Sequence, residues 1–512
     1  MSSRSRWQSL FSPGDTNALF ALLLDNVVNL VALSGILVFQ FGFPADFLLT
    51  RMIPGTALGV MIGDLLYTWM AVRKGGRRTA MPLGLDTPST IGLALIVLGP
   101  VYVQTQDPYV TWATGMATLF LIGVTKVVLA FFGDAVARIM PQAALLGPLA
   151  GVGLALLGLI PVVQIFEEPV AGLVGAGLVL YTLIAKYQLP GRIPGALAAV
   201  AVAVALYWAM DLLGIHPAHS SDAVAAFALH VPVPEVGQLL AGLPRALEFL
   251  PVSLPFGLLT IIGGINATAS ARAAGDEYRT RDILLVEAGS TLVAAVFGGV
   301  AQSTPYIGHP AYKAMGARAG YTLLTGLIVG IGGMIGLLGA LVNVLPEVAV
   351  APILLFVGIE ITVQAVRVPD PRHLPAVAFS IVPVLAYLVS IYTNQLRGAV
   401  SDSNPVLAEQ LSTISIVGQG FILTAMLWGG AVAFLLDRRA GAVAATFAVL
   451  AVFSLFGVIH SVDPSGGLQL PSARPVEIAS AYCLTGALLA CLMVLAGRGG
   501  GTDEARGRDQ VR

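Results

Sequence analysis

Apolar runs of about 20 residues, the length a helix needs to cross the hydrocarbon core of a bilayer, recur from Asn17 to near Ala496. The joints between them are short, and none could hold a soluble domain of ordinary size. The pattern predicts sixteen spans, at 17–42, 47–72, 85–103, 109–133, 139–163, 169–187, 194–214, 250–271, 283–301, 306–317, 321–344, 348–366, 374–393, 415–436, 442–461 and 476–496. The expected fold class is therefore an all-α polytopic membrane protein. The first run is full length and leads straight into others, so it reads as a retained span rather than a cleaved signal peptide. Residues 1–16 and 498–512 read as short solvated tails.

Composition agrees: 56% of residues are apolar and 11% charged, against roughly 25% charged in a typical soluble domain. Threading the spans with the N-terminus inside leaves just Arg51, Arg245, Arg397 and Arg474 of the 27 basic residues on the outer side, with Lys126 inside a span. That distribution obeys the positive-inside rule and predicts both termini in the cytoplasm of a bacterial-type inner membrane. Cys483 and Cys491 both fall in the last span, so no disulfide framework or CxxC metal pair is available. His216, His219 and His230 lie in a predicted external loop without an acidic or Cys companion at ligand spacing, and read as solvated rather than metal-binding.

Two of the spans are irregular. The third opens Met81-Pro82-Leu83-Gly84-Leu85-Asp86-Thr87-Pro88-Ser89-Thr90, and the tenth opens Gln302-Ser303-Thr304-Pro305-Tyr306-Ile307-Gly308-His309-Pro310. Neither proline-glycine sequence continues a helix at ordinary cost, so extended backbone is expected in both. Seven spans separate them, and an odd offset makes the second half enter the membrane in the opposite sense, as in an inverted repeat of spans 1–7 and 8–14. Unwound chain at membrane depth is tolerated where protein buries it or a polar cavity wets it. Two such segments facing each other, with short helices pointing their positive N-terminal ends at the centre, make a candidate solute site.

Other polar residues fall at membrane depth. Asp25 and Asn29, spaced i, i+4 in the first span, share one helical face. Asp64 resembles Asp25 in setting, or simply hydrogen-bonds a neighbouring helix; Lys126, Glu287 and Glu360 are also embedded, so Lys126 either has an acidic partner that sequence does not choose or snorkels to the interface. In the eighth span Gly263, Gly264, Asn266, Thr268 and Ser270 either line a polar cavity or allow close helix packing.

The broken third and tenth spans, with GGVAQSTPYIGHPAYKAMGARAGYT at 298–322, resemble the xanthine/uracil/ascorbate permeases, nearest their adenine/guanine/hypoxanthine branch. The resemblance is strongest over 81–90 and 253–372 and weak over the last hundred residues or so. It implies fourteen spans in two inverted halves, with spans 15 and 16 as an addition. The implied domains are a core (17–133 and 250–345), a gate (134–214 and 346–436), an extracytoplasmic loop (215–249) and the additional spans (437–497). In nucleobase permeases a glutamate on the eighth span binds the base and a carboxylate on the tenth supports it. Here Gly263 to Asn266 and Gly308-His309 stand at those places. Sulfate permeases and anion exchangers, similar in fold, bind anions without those acids.

The expectation is a secondary transporter, working by alternating access of an elevator type, for a small polar solute. A nucleobase is the leading class and a small anion such as sulfate, bicarbonate or carboxylate the alternative. Asp86, Thr87, Asn266, Thr304, Tyr306 and His309 are the expected solute contacts, and Asp25, Asn29 and Asp86 the candidates for a coupling proton or sodium ion. No cofactor or nucleic-acid partner is expected. Relatives of this fold often dimerise through their gate domains, which leaves a homodimer open. A channel is the closest rival, and an intramembrane enzyme is disfavoured by the lack of HExxH or a recognisable catalytic pair.

Overall fold

In the computed structural model the described residues are 10–73, 78–190, 195–215, 228–306, 308–337, 346–401, 404–462 and 469–509. The first nine residues, Lys74, Arg77, Arg192, His216 and His219 fall outside them. Each of the sixteen expected spans meets a helix. Nine described helices are long and apolar enough to cross a bilayer, ten if a bent pair counts as one span, and four further apolar helices are shorter. The protein is thus an integral membrane protein of the all-α polytopic class.

Differences from the expected boundaries have local causes. The first helix, α1 (Gly14–Gly35), starts within the stretch expected to be a solvated tail. Asp15 is buried there because its carboxylate accepts the backbone N–H groups of Ser12 (2.6 Å), Arg318 (2.9 Å) and Tyr321 (3.3 Å). The expected loop 215–249 contains a helix, Val236–Ala246. The expected span 415–436 is two helices, Pro405–Gly418 and Phe421–Leu436, bent by 72°. Gly420 makes that bend at φ +66°, a left-handed conformation that costs glycine little.

Contacts divide the chain into two compact units, 1–136 with 159–356, and 137–158 with 357–512. The first holds all the elements of the candidate site: α1, α2 (Ile53–Arg73), β1 (Leu83–Leu85), α3 (Thr87–Leu93), α4 (Pro108–Ile139), α5 (Leu250–Ala273), α6 (Thr280–Val296), β2 (Ser303–Pro305), α7 (His309–Ala314) and α8 (Gly320–Met334). In it α2 packs against α6 and α8, and α8 also against α1. Glycines allow the close approach: at Gly59 an added methyl would meet Ala294 and Ser290 of α6, and at Gly326 it would meet Asp64 of α2. In the second unit the helix Gln142–Gly151 packs on Leu374–Ser401 and Phe421–Leu436, and Ala440–Leu455 packs on Ala473–Asp509.

Candidate functional site

The two irregular stretches pair with each other. β1 and β2 form an antiparallel ribbon in the register Leu83 with Pro305, Gly84 with Thr304 and Leu85 with Ser303. Two backbone bonds extend it, Asp86 N–H to Gln302 O (3.0 Å) and Tyr306 N–H to Pro82 O (2.9 Å). Pro305 and Pro82 lack donors, which a two-stranded ribbon tolerates at its free edges.

Unwound chain in a membrane must find partners for its remaining N–H and C=O groups, and side chains of three surrounding helices, of Tyr306 and of the α5–α6 connection supply several of them. Asn26 Oδ1 accepts Leu85 N–H (3.1 Å), and Asn29 Nδ2 lies 3.4 Å from Leu85 O. Tyr306 Oη stands 3.1 Å from the same carbonyl and donates to Asp25 Oδ2. Lys126 Nζ of α4 donates to Ser303 O (3.0 Å) and Thr291 Oγ1 (3.3 Å), and pairs with Glu287 Oε1 of α6 at 3.0 Å. Ser290 and Ser303 share a hydroxyl contact of 2.6 Å. Upstream of the ribbon, Tyr321 Oη of α8 donates to Ala80 O (2.6 Å) and Tyr278 Oη to Thr79 O (2.7 Å).

The helix after β1 starts cleanly. Asp86 is its N-cap, its carboxylate accepting Ser89 N–H at 3.0 Å, and Pro88 sits in the first turn, where a missing N–H costs nothing. The helix continues through a π-helical turn to Thr105, 19 residues in all. The helix after β2, α7, has just six residues.

Around this ribbon Asp25, Asp86, Thr87 and Tyr306 are partly exposed. Asn29 Oδ1, Thr90 Oγ1 and Gln302 Nε2 are buried without a partner in the protein, a condition native proteins rarely leave uncompensated. Asp25, Asn29, Asp86, Thr304 and Tyr306 are therefore brought together as the sequence suggested. Thr87 opens α3 beside Asp86, and the Thr304 hydroxyl faces the Glu287 carboxylate.

Two expected contacts stand elsewhere. His309 is fully buried and engages Asp276 through Nε2 at 3.0 Å, while Lys313 Nζ holds the other Asp276 oxygen at 3.0 Å. It belongs to that second cluster, on the side where the chain turns from α5 to α6. Asn266 is half-buried on a different face of α5 from Thr260 and Gly264, which meet Gln302 and Glu287. Asn26 stood out in sequence as a polar residue of the first span but without a role, whereas Asp276 and the partner of Lys126 were not named. The Asn26–Asn29 spacing within one helical turn was the available signal for the first. The other two depend on long-range packing.

No family model and no curated protein matches the chain. Among solved structures it is similar to the transmembrane domain of a cyanobacterium bicarbonate transporter, BicA, with TM-score 0.52 and 16% identity over 76% of this chain and 98% of that one. Matches to SLC26A9 (TM-score 0.49, 14% identity, 81% of this chain and 64% of that one) and to the murine Slc26a9 anion transporter in its inward-facing state (0.47, 15%, 75% and 65%) are weaker. The chain spans less than two thirds of those two proteins. At such identities the likeness is one of fold, and it does not single out the nucleobase branch: the chain is an integral membrane protein that shares its fold with the BicA transmembrane domain.

Proposed function

We propose that this protein is a secondary active transporter of a small anion, such as bicarbonate, sulfate or a carboxylate, coupled to a cation. The observation that carries the reading is the β1–β2 ribbon, two unwound segments paired among membrane-spanning helices, with Asp25, Asp86 and unpartnered polar atoms gathered on it. The BicA-like fold supports it.

The polar groups also bear on substrate class. A nucleobase held by a bidentate carboxylate needs a free acid on the eighth or tenth span. At the matching places stand Gly263 to Asn266, beside which the Glu287 carboxylate is engaged by Lys126, and Gly308 followed by His309, whose imidazole is engaged by Asp276. The anion reading must instead account for Asp25 and Asp86, two carboxylates that repel an anion. A cation bound with the anion removes that repulsion, so each favours the other's binding, and this linkage is the physical content of symport. Lys126 lies within electrostatic reach of Asp86 but is paired with Glu287, so it offsets little of that field.

Movement of a core domain (17–133 and 250–345), which carries both broken spans, against a gate domain (134–214 and 346–436) would expose the site to each side in turn. Purified protein in proteoliposomes is expected to take up one of labelled bicarbonate, sulfate or a small dicarboxylate saturably, and uracil or xanthine poorly. Uptake of uracil or xanthine alone would replace the anion by a nucleobase, and non-saturating flux would indicate a channel.

A further inference from the structure

The groups turned toward Asp25 are donors. Tyr306 donates its hydroxyl hydrogen to Oδ2, and Asn29 Nδ2 lies 3.5 Å from the same oxygen and 3.0 Å from the Asp25 carbonyl. One oxygen of the Asp86 carboxylate likewise accepts the N–H of Ser89. A hard cation binds through a shell of oxygen lone pairs, and N–H and O–H groups aimed at a carboxylate present their hydrogens instead. A proton needs no such shell and adds directly to the carboxylate.

The second observation concerns Tyr306. Its hydroxyl has one hydrogen and two acceptors within reach, Asp25 Oδ2 and Leu85 O at 3.1 Å. A charged carboxylate is the stronger acceptor. Once Asp25 carries a proton, its own O–H donates to Tyr306 Oη, and the tyrosine hydrogen is released to the Leu85 carbonyl. That carbonyl is the last of β1, adjoining the residue that caps α3.

We propose that Asp25 is the proton-carrying group of the transport cycle and that Tyr306 passes its protonation state to the β1–α3 junction by exchanging one acceptor for the other. The inference rests on the reading of the site as that of a cation-coupled anion carrier. In the proton step Asp25 takes one proton from water, becomes neutral, and keeps its contact to Tyr306 with donor and acceptor reversed. The other titratable groups facing it are Asp86 at the start of α3 and Tyr312 of α7. Tyr321 of α8 stacks on Tyr312 at 5.2 Å between ring centroids. An arriving anion and a proton on Asp25 favour each other by linkage.

Infrared difference spectra of the lipid-reconstituted protein across a pH titration test this without a known solute. A protonated-carboxyl C=O band is expected to titrate in the wild type. It should vanish in Asp25→Asn, move in Asp25→Glu, and shift in Tyr306→Phe, where the acid loses its hydroxyl partner. A band unchanged in all three variants overturns the assignment, as does the absence of a titrating band in the wild type. In parallel, wild-type uptake of the anion panel should rise several-fold under an acid-outside gradient and be indifferent to exchanging sodium for potassium. Sodium-dependent, gradient-indifferent uptake overturns the proton while leaving the carrier standing. No uptake of any anion overturns the carrier reading, whatever the infrared result.

Discussion

Lys126 and Glu287 are fully buried, and the three acceptors of Lys126 belong to α6 and β2. The lysine thus ties a carbonyl of unwound chain to two helices. Breaking a buried ion pair from one side leaves the other charge uncompensated, at a cost of about 3–5 kcal/mol, whereas removing both charges with little change in volume is often close to neutral. Lys126→Met and Glu287→Gln are each expected to lower the melting temperature of the purified protein strongly, and the double variant to recover much of that loss. Equal loss in the double variant would show that the pair matters for more than its own charges. Sequence marked Lys126, Glu287 and Glu360 as embedded charges, but which acid meets the lysine is a property of packing across 161 positions of chain.

The unwound segments are where element-scale reasoning succeeded and where it stopped. Proline and glycine at 82, 84, 88, 305, 308 and 310 declared the breaks, because their backbone chemistry is local. The register of β1 on β2 was not legible, since nothing within three residues of Leu83 specifies a partner at Pro305. The bend at Gly420 was hidden within a continuous apolar run, and the helix Val236–Ala246 by its Pro244 and modest apolarity. Gly84 has a specific reason to lack a side chain: the Tyr306 ring occupies the space a Cβ would take. Gly84→Ala is therefore expected to destabilise the ribbon and lower the melting temperature. Gly263→Ala, where a methyl meets nothing within 4 Å, should be neutral or stabilising by about 0.5–1 kcal/mol as alanine replaces glycine inside a helix. The same melting temperature for both variants would contradict the packing of Tyr306 over β1.

At the scale of the whole molecule, hydrophobic run length carried the all-α polytopic class and placed a helix in each expected span, although nine of the described helices, ten with the bent pair, are long enough to cross a bilayer. The site was legible in part. Asp25, Asn29, Asp86, Thr304 and Tyr306 converge because the two breaks pair, while His309 goes to Asp276 because a buried imidazole beside a carboxylate satisfies both groups. Substrate class was least legible, since recognition of a small solute by backbone ends and balanced charge leaves no motif in the sequence.

The central claim is that solute and coupling charge meet at this ribbon, and Asp86→Asn tests it most directly. Asparagine caps helices as well as aspartate, so the Ser89 N–H keeps its acceptor and the fold should survive while the charge is lost. The negative charge of Asp86 attracts the coupling cation, and losing a charged interaction of about 1.5–3 kcal/mol corresponds to roughly ten- to a hundredfold in rate or affinity. The variant, purified in wild-type amount with an unchanged melting temperature, is predicted to lose coupled anion uptake into proteoliposomes by about that factor. Full uptake by folded Asp86→Asn protein would contradict the account.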